Sequence, residues 1–336
     1  MKESPKILAI QFKYYGDAVM LTPALRAIHS HFPESELHVL VPEEVAPIFE
    51  HLPWLHHVWP MPRQRGHIRI SQSWPVIRAL RHEGFDQSVD FAGNDRGAML
   101  SLLIGAQQRL GLINPGGFLG RRFCYHQHAV PTALAQHESL RLAHILSAWK
   151  IAPPSSLTPE IVIDSAEDAF AERLLPTGSV ICHIASSQPK KEWPVRQWAT
   201  FYTLAVAAGQ QLVFTTAKGT REQALMDELR RVAPQALILP VIPELRQFLA
   251  LLKRAEVFIS GDTGPLHFAA GLGIPTISLF GPTAAARWAP QGNQHRFLTG
   301  TNCSCDGNVS ICQNERHCLA EITPEQVLTC LQTVRG

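Results

Sequence analysis

Short runs of aliphatic and β-branched residues alternate along this chain with longer stretches whose apolar positions recur at helical spacing. That alternation predicts βα units feeding a mostly parallel sheet, an α/β fold class, from one end of the chain to the other. In the first half it predicts strands over residues 6–12, 36–41 and 87–91, and helices over 22–32, 75–83, 95–103 and 138–149. The stretch KIAPPSSLTPE then interrupts the periodicity with proline and serine, as a connection between domains does. The second half restarts the pattern. Its strands are expected over 179–184, 211–215, 237–239, 257–260 and 276–280, and its helices over 198–208, 221–232, 245–255 and 265–272. The expected organisation is one domain over residues 1–160, a second over 175–322 and a terminal helix within 323–336. Two such halves place a ligand cleft between domains, at the carboxyl ends of the strands.

Composition narrows the picture. At 336 residues, 46% hydrophobic and 17% charged, the chain can bury two cores and is too uncharged for disorder. A formal charge of +2 argues against a nucleic-acid coat, which binds through dense lysine and arginine. No apolar run reaches the ~18–20 residues of a spanning helix, and MKESPKILAIQF lacks a signal-peptide pattern, so the expected compartment is the cytoplasm. Seven cysteines, an odd number scattered through a long chain, do not read as a disulfide scaffold.

Three stretches carry candidate chemistry. In ILAIQFKYYGDAVMLTPALRAI, a strand leads through a loop with Gly16 and Asp17 to a helix expected to begin near Thr22 and Pro23. Asp17 either caps that turn or points into the cleft as a proton acceptor for a hydroxyl nucleophile. In VFISGDTGPLHFAAGLGIPTISLFGPT, a strand ends before Asp262, Thr263 and Gly264, and a helix from Pro265 exposes free N–H groups suited to an anion. His267, one turn inside, either reaches the same anion or packs. The dinucleotide pattern G-x-G-x-x-G and the G-K-[ST] phosphate loop are both absent, which removes the main support for hydride transfer and for ATPase chemistry. In HIASSQPKKEWPVRQWATF, Ser186, Ser187 and Lys191 follow a strand, where the lysine either is solvated or neutralises a leaving diphosphate.

Together these stretches resemble glycosyltransferase family 9, the lipopolysaccharide heptosyltransferases. D-T-G-P-L-H-F-A-A-G-L-G-I-P-T-I-S-L-F-G, from Asp262, is similar almost position by position to the family's D-[TS]-G-x-x-H-x-A-A-x-x-x-x-P-x-x-x-[LI]-[FY]-G. The opening x-x-x-G-D-x-x-x-x-T-P-A-L-R-A and the K-x-W-P at Lys191, Trp193 and Pro194 also match. The resemblance implies a GT-B fold, with two Rossmann-like domains facing a central cleft, the first binding acceptor and the second nucleotide sugar. It implies metal-independent, inverting transfer of a heptose from ADP-heptose, with no cofactor, to a lipid A-core acceptor at the inner face of the inner membrane. By the same resemblance Asp17 is the general base and Lys191 the diphosphate clamp. Ser186, Ser187, Asp262, Thr263, Gly264 and His267 hold the donor, and Glu222 in TTAKGTREQ meets the nucleoside. Lys13, Tyr14 and Tyr15 give a bulkier loop before Gly16 than the first and second heptosyltransferases carry, nearer to those acting on later core positions.

Two other classes fit parts of the pattern: a nucleotide-sugar epimerase of the same architecture, which needs no acceptor, and a nucleic-acid-binding protein with a cysteine zinc module. Cys303, Cys305, Cys312 and Cys318 fall within 16 residues, but the spacing C-x-C-x₆-C-x₅-C departs from paired C-x₂-C, which weighs against such a module. The family resemblance, in which many members carry cysteines here before a final helix, implies that the cluster is structural rather than catalytic, either metal-bound or free or oxidised thiols. Residues 51–125 hold nine lysines and arginines against four acids, a local excess of +5 that marks a candidate docking face around Arg121 and Arg122.

Overall fold

A computed structural model describes residues 4–62, 70–114, 116–130, 137–175, 178–300 and 318–335. The chain divides into two compact units, Met1–Val162 and Ile163–Gly336. The first runs β1 (Lys6–Ile10), α1 (Tyr15–His31), β2 (Glu36–Pro42), β3 (His57–Met61), α2 (Ile70–Glu83), β4 (Gln87–Asp90), α3 (Asp95–Ile104), β5 (Gln108–Leu112), β6 (Gln127–Ala129) and α4 (Glu138–Ile145). Its strands are parallel, in the order β3-β2-β1-β4-β5-β6.

The second unit runs α5 (Ser165–Glu172), β7 (Val180–His183), α6 (Val195–Ala207), β8 (Leu212–Thr215), α7 (Thr220–Val232), β9 (Leu237–Ile238), α8 (Leu245–Lys253), β10 (Val257–Gly261), α9 (Gly264–Gly271), β11 (Thr276–Phe280), α10 (Ala285–Trp288), β12 (His295–Thr299) and α11 (Pro324–Arg335). Its strands are again parallel, in the order β12-β11-β10-β7-β8-β9. Read from each unit's first strand, the two sheets have one topology. Winding reverses between β1 and β4 in one and between β7 and β10 in the other, and such reversals open a crevice at the carboxyl ends of the strands.

Burial explains which strands the pattern revealed. β1, β2, β7, β10 and β11 are buried at nearly every position and read as continuous apolar runs. The sequence pattern missed β3, β6 and β12, which lie at sheet edges, alternate with exposed residues and, in β3, include Pro60. It also missed the interior β5, whose QRLGL begins with polar residues.

Two helices correct the expectations. α1 begins at Tyr15, not near Thr22, so Asp17 sits in its first turn rather than on a loop. Pro23 therefore lies inside a helix, where its missing N–H leaves the Val19 carbonyl without its usual donor. Thr22 Oγ1 supplies that donor at 2.8 Å, and the helix continues. α5 occupies part of the expected connection. A capping box starts it, Asp164 accepting from Glu167 N at 2.8 Å and Glu167 accepting from Asp164 N at 3.0 Å. Only Ala171 of its eight residues is buried, which leaves no apolar stripe to read.

Leu8, Ile10, Leu40, Leu80, Phe85 and Leu100 build the core of the first unit. In the second, Trp193 of K-x-W-P meets Trp198 edge-on with ring centroids 4.8 Å apart, and its indole N–H donates to Ile322 O at 3.0 Å. The tryptophan thereby ties the segment after Lys191 to the residues before α11, and each such aromatic buries enough surface for roughly 1.5–3 kcal/mol. Cys318 is buried where added Cβ atoms on Gly281 and Gly300 would collide with it. Cys303, Cys305 and Cys312 lie outside the described residues.

Candidate active site

The ends of β7, β8, β10 and β11 assemble the candidate donor site of the second unit. Lys191 ends a short 3₁₀ turn, Pro189–Lys191, after β7, and its ammonium donates to Asp262 Oδ2 at 2.7 Å, just past β10. Thr283, past β11, donates to the same oxygen at 2.8 Å, and His267 Nε2 stands 3.9 Å from Asp262 Oδ1. Asp262 and His267 are buried, whereas the lysine side chain is 17% exposed. Close approach requires Gly261, because a Cβ there would lie 2.5 Å from the Lys191 carbonyl oxygen. Thr263 caps α9 in an extended conformation without a side-chain cap bond, so the positive end of that helix begins beside the Lys191–Asp262 pair.

Glu192 links this pair to a second group. Its carboxylate accepts from Ser186 N at 2.9 Å and pairs with the Arg221 guanidinium, which also donates to the Ser186 carbonyl and, at 2.8 Å, to Glu222 Oε1. Burial alone would lower the Arg221 pKa, but Glu192 and then Glu222 reverse that and hold it above its ordinary value. Gly219 leaves room for Glu222, since a Cβ there would meet its Oε2 at 2.2 Å. Ser186 Oγ is buried and has no hydrogen-bond partner among the described residues, while Ser187 is exposed. The structure thus brings Lys191, Asp262 and His267 into one group, beside Thr263 and Gly264, and Ser186 and Glu222 into its neighbour.

Glu192, Arg221 and Thr283 were not singled out from sequence. Each adjoins or falls within a quoted motif, but apart from the neighbouring Arg221–Glu222 contact the partners named above lie 6 to 35 residues away, beyond any local pattern.

Asp17 belongs to the first unit, in the first turn of α1, just past the carboxyl end of β1. Lys13 Nζ stands 3.7 Å from Asp17 Oδ1 and 3.6 Å from Glu138 Oε1, and Arg141 donates to Glu138 at 2.6 Å. One ammonium therefore lies between two carboxylates, with Glu138 itself buried. Asp90, the last residue of β4, is also buried and accepts from Tyr125 Oη at 2.6 Å and Ala92 N at 2.9 Å. Desolvation raises its pKa from 3.8 to about 6, against the opposing hydrogen bonds and the Lys13 charge.

That shift sets a stability test. The folded state holds Asp90's proton over the window from about pH 4 to 6, where the unfolded chain has lost it, so this carboxylate lowers stability as pH rises through the window. Asp90→Asn can keep both contacts, its oxygen accepting from Ala92 and its amide donating to the phenol. The variant is expected to lose on the order of 2–3 kcal/mol of that pH dependence, measured by urea unfolding at pH 4 and pH 7. Equal pH dependence in the two proteins would contradict it.

The electropositive face needs correction. Arg121 is buried, paired with Asp95 Oδ1 at 3.1 Å and with the Asn114 carbonyl, and Arg109 donates to the Cys124 carbonyl at 2.8 Å and the Ala106 carbonyl at 3.0 Å. Arg96 lies over the Phe12 ring and donates to Pro62 O. These guanidinium groups donate to backbone carbonyls, and the burial of Arg121 removes it from the surface charge. Arg122 is exposed, and Arg63, Arg65 and Arg69 lie outside the described residues.

Comparison with known proteins agrees with this architecture. The chain is 22% identical to lipopolysaccharide heptosyltransferase 2 of Escherichia coli (strain K12), with 96% of each chain covered. The glycosyl transferase family 9 structure from Veillonella parvula superposes with a TM-score of 0.82 at 19% identity, covering 98% of this chain and 97% of that one. The E. coli heptosyltransferase WaaC with ADP-2-deoxy-2-fluoro heptose gives 0.74 at 19%, covering 98% and 99%. At these identities the structural likenesses establish the fold, which is of the GT-B class. The model of glycosyltransferase family 9 (heptosyltransferase) matches residues 73–318, well over half of the sequence. The chain belongs to that family and is a glycosyltransferase.

Proposed function

We propose that this enzyme moves a heptose from ADP-heptose to the lipopolysaccharide inner core, inverting the anomeric carbon without a metal or other cofactor. The observation that carries the reading is the Lys191–Asp262 pair at the β7/β10 reversal, beside the uncapped start of α9, in a family 9 chain. The diphosphate takes the Lys191 ammonium away from Asp262, whose Oδ2 keeps the Thr283 hydroxyl as donor. The backbone N–H groups of Thr263 and Gly264 receive the remaining phosphate charge, so a cation and a helix end meet the leaving group where other enzymes use Mg²⁺. His267 braces Asp262 from the far side, Ser186 and Ser187 hydrogen-bond the donor, and Glu222 takes a ribose hydroxyl. Asp17 accepts the proton of the attacking core-sugar hydroxyl while the anomeric carbon loses ADP. The names of the relatives support both substrates, and a lipid-linked acceptor places the work at the cytoplasmic face of the inner membrane. No helix among the described residues is long and apolar enough to cross it.

The test is ADP release from ADP-heptose in the presence of truncated core lipopolysaccharides of graded length. Release that depends on one acceptor supports the reading. An altered sugar nucleotide formed without acceptor would mean an epimerase instead.

A further inference from the structure

Beyond the reacting groups, the first unit carries an apolar tip that the fold does not use. Leu119 is 102% exposed, Phe123 77% and Phe118 37%, all on the turn between β5 and β6. The turn is built around other atoms. Buried Arg121 is held by Asp95 and the Asn114 carbonyl, Phe118 N donates to Asp95 Oδ1 at 3.2 Å, and Phe123 N donates to Gly120 O at 2.9 Å. Gly117 adopts φ 90°, and a Cβ there would lie 2.4 Å from Asp95 Oδ1, so the glycine lets the turn close over that carboxylate. Met99 and Leu102, 42% and 43% exposed, stand four and seven positions after Asp95 and so share the face of α3 that holds the turn.

We propose that this tip, residues 116–123 with the adjoining face of α3, docks the enzyme onto an anionic lipid bilayer. The charge around it fits that occupant: from Arg96 to His137 the sequence has no aspartate or glutamate, and of its four arginines Arg96, Arg109 and Arg121 donate to backbone carbonyls while Arg122 stands exposed. Asp95, the acid just before, is paired with Arg121. Arg122 is exposed on the tip with its guanidinium 5.7 Å from the Phe123 ring centre, so a cation for lipid phosphate lies beside an aromatic ring for the headgroup layer. A specific protein partner ordinarily engages about 20–30 residues a side, whereas Phe and Leu on a rigid turn enter the interfacial layer without needing a complementary shape. The inference rests on the proposed reaction only for its purpose, which is to bring the enzyme to a lipid-linked acceptor.

The experiment is co-sedimentation of the full-length protein with vesicles of phosphatidylcholine alone or with about one-third phosphatidylglycerol. The wild type is expected to bind the anionic vesicles, and Leu119→Ser/Phe123→Ser to bind them roughly tenfold or more weakly. Arg122→Glu should weaken binding to anionic vesicles and leave the residual binding to neutral ones unchanged. Both variants should keep the wild-type melting temperature and wild-type ADP release with a deacylated, water-soluble acceptor. Wild-type protein that fails to sediment, or a double variant that sediments as well as wild type, would overturn the proposal. So would a double variant that only converts a dimer to a monomer in sedimentation velocity. If every form is inactive while vesicle binding follows the expected order, the docking stands and the proposed reaction falls.

Discussion

Asp17→Asn is expected to lower turnover by about 10²–10⁴-fold while leaving the affinity for ADP-heptose unchanged, the loss characteristic of a missing general base. Asparagine keeps the size of the side chain and its place in the first turn of α1, and Lys13 remains held through Glu138 and Arg141. What disappears is the capacity to take a proton. Because the donor groups proposed here all lie in the second unit, the Michaelis constant for the sugar nucleotide should stay within about twofold of wild type. Steady-state rates against both substrates, with donor binding measured by calorimetry, check this. Near-normal turnover in the variant would remove Asp17 from the chemistry.

Lys191→Ala should behave differently, lowering donor affinity and turnover together. The ammonium meets the diphosphate in the ground state and meets more charge as ADP departs, so its removal weakens both. A combined loss of about 10²–10³-fold in kcat/KM is expected for deleting one positioned charge from such a site. Truncation also strips buried Asp262 of its cation, leaving, among the described residues, the Thr283 hydroxyl on Oδ2 and His267 3.9 Å from Oδ1. Added Mg²⁺ should not restore the variant, and EDTA should not slow the wild type. A wild type silenced by EDTA and revived by Mg²⁺ would contradict the metal-free departure of ADP.

The parts of this enzyme legible in its sequence are those that burial writes into consecutive residues. Of the strands flanking both reversals, β1, β7 and β10 stand out as apolar runs while β4, QSVD, does not, and the segments just after β1, β7 and β10 carry Asp17, Lys191 and Asp262 at the carboxyl ends of their sheets. The edge strands β3, β6 and β12 do not stand out, because half-exposed positions and Pro60 leave too little pattern. The true start of α1 was hidden by Pro23, a residue that normally marks a first turn and here is accommodated by one threonine hydroxyl. Arg121 looked like surface charge when counted along the chain, yet Asp95, 26 positions away, buries it. The Arg221–Glu192 pair escaped for the same reason, since 29 residues separate its members.

The central claim is a single displacement at the anomeric carbon, with one base on the acceptor and a cation on the leaving diphosphate. Isolating the product made from ADP-heptose of defined anomeric configuration, and reading the configuration of the new linkage by NMR, tests it most directly. The new linkage is expected to carry the configuration opposite to the donor's. A product with the donor's configuration would require a covalent or otherwise doubled displacement, and would contradict it.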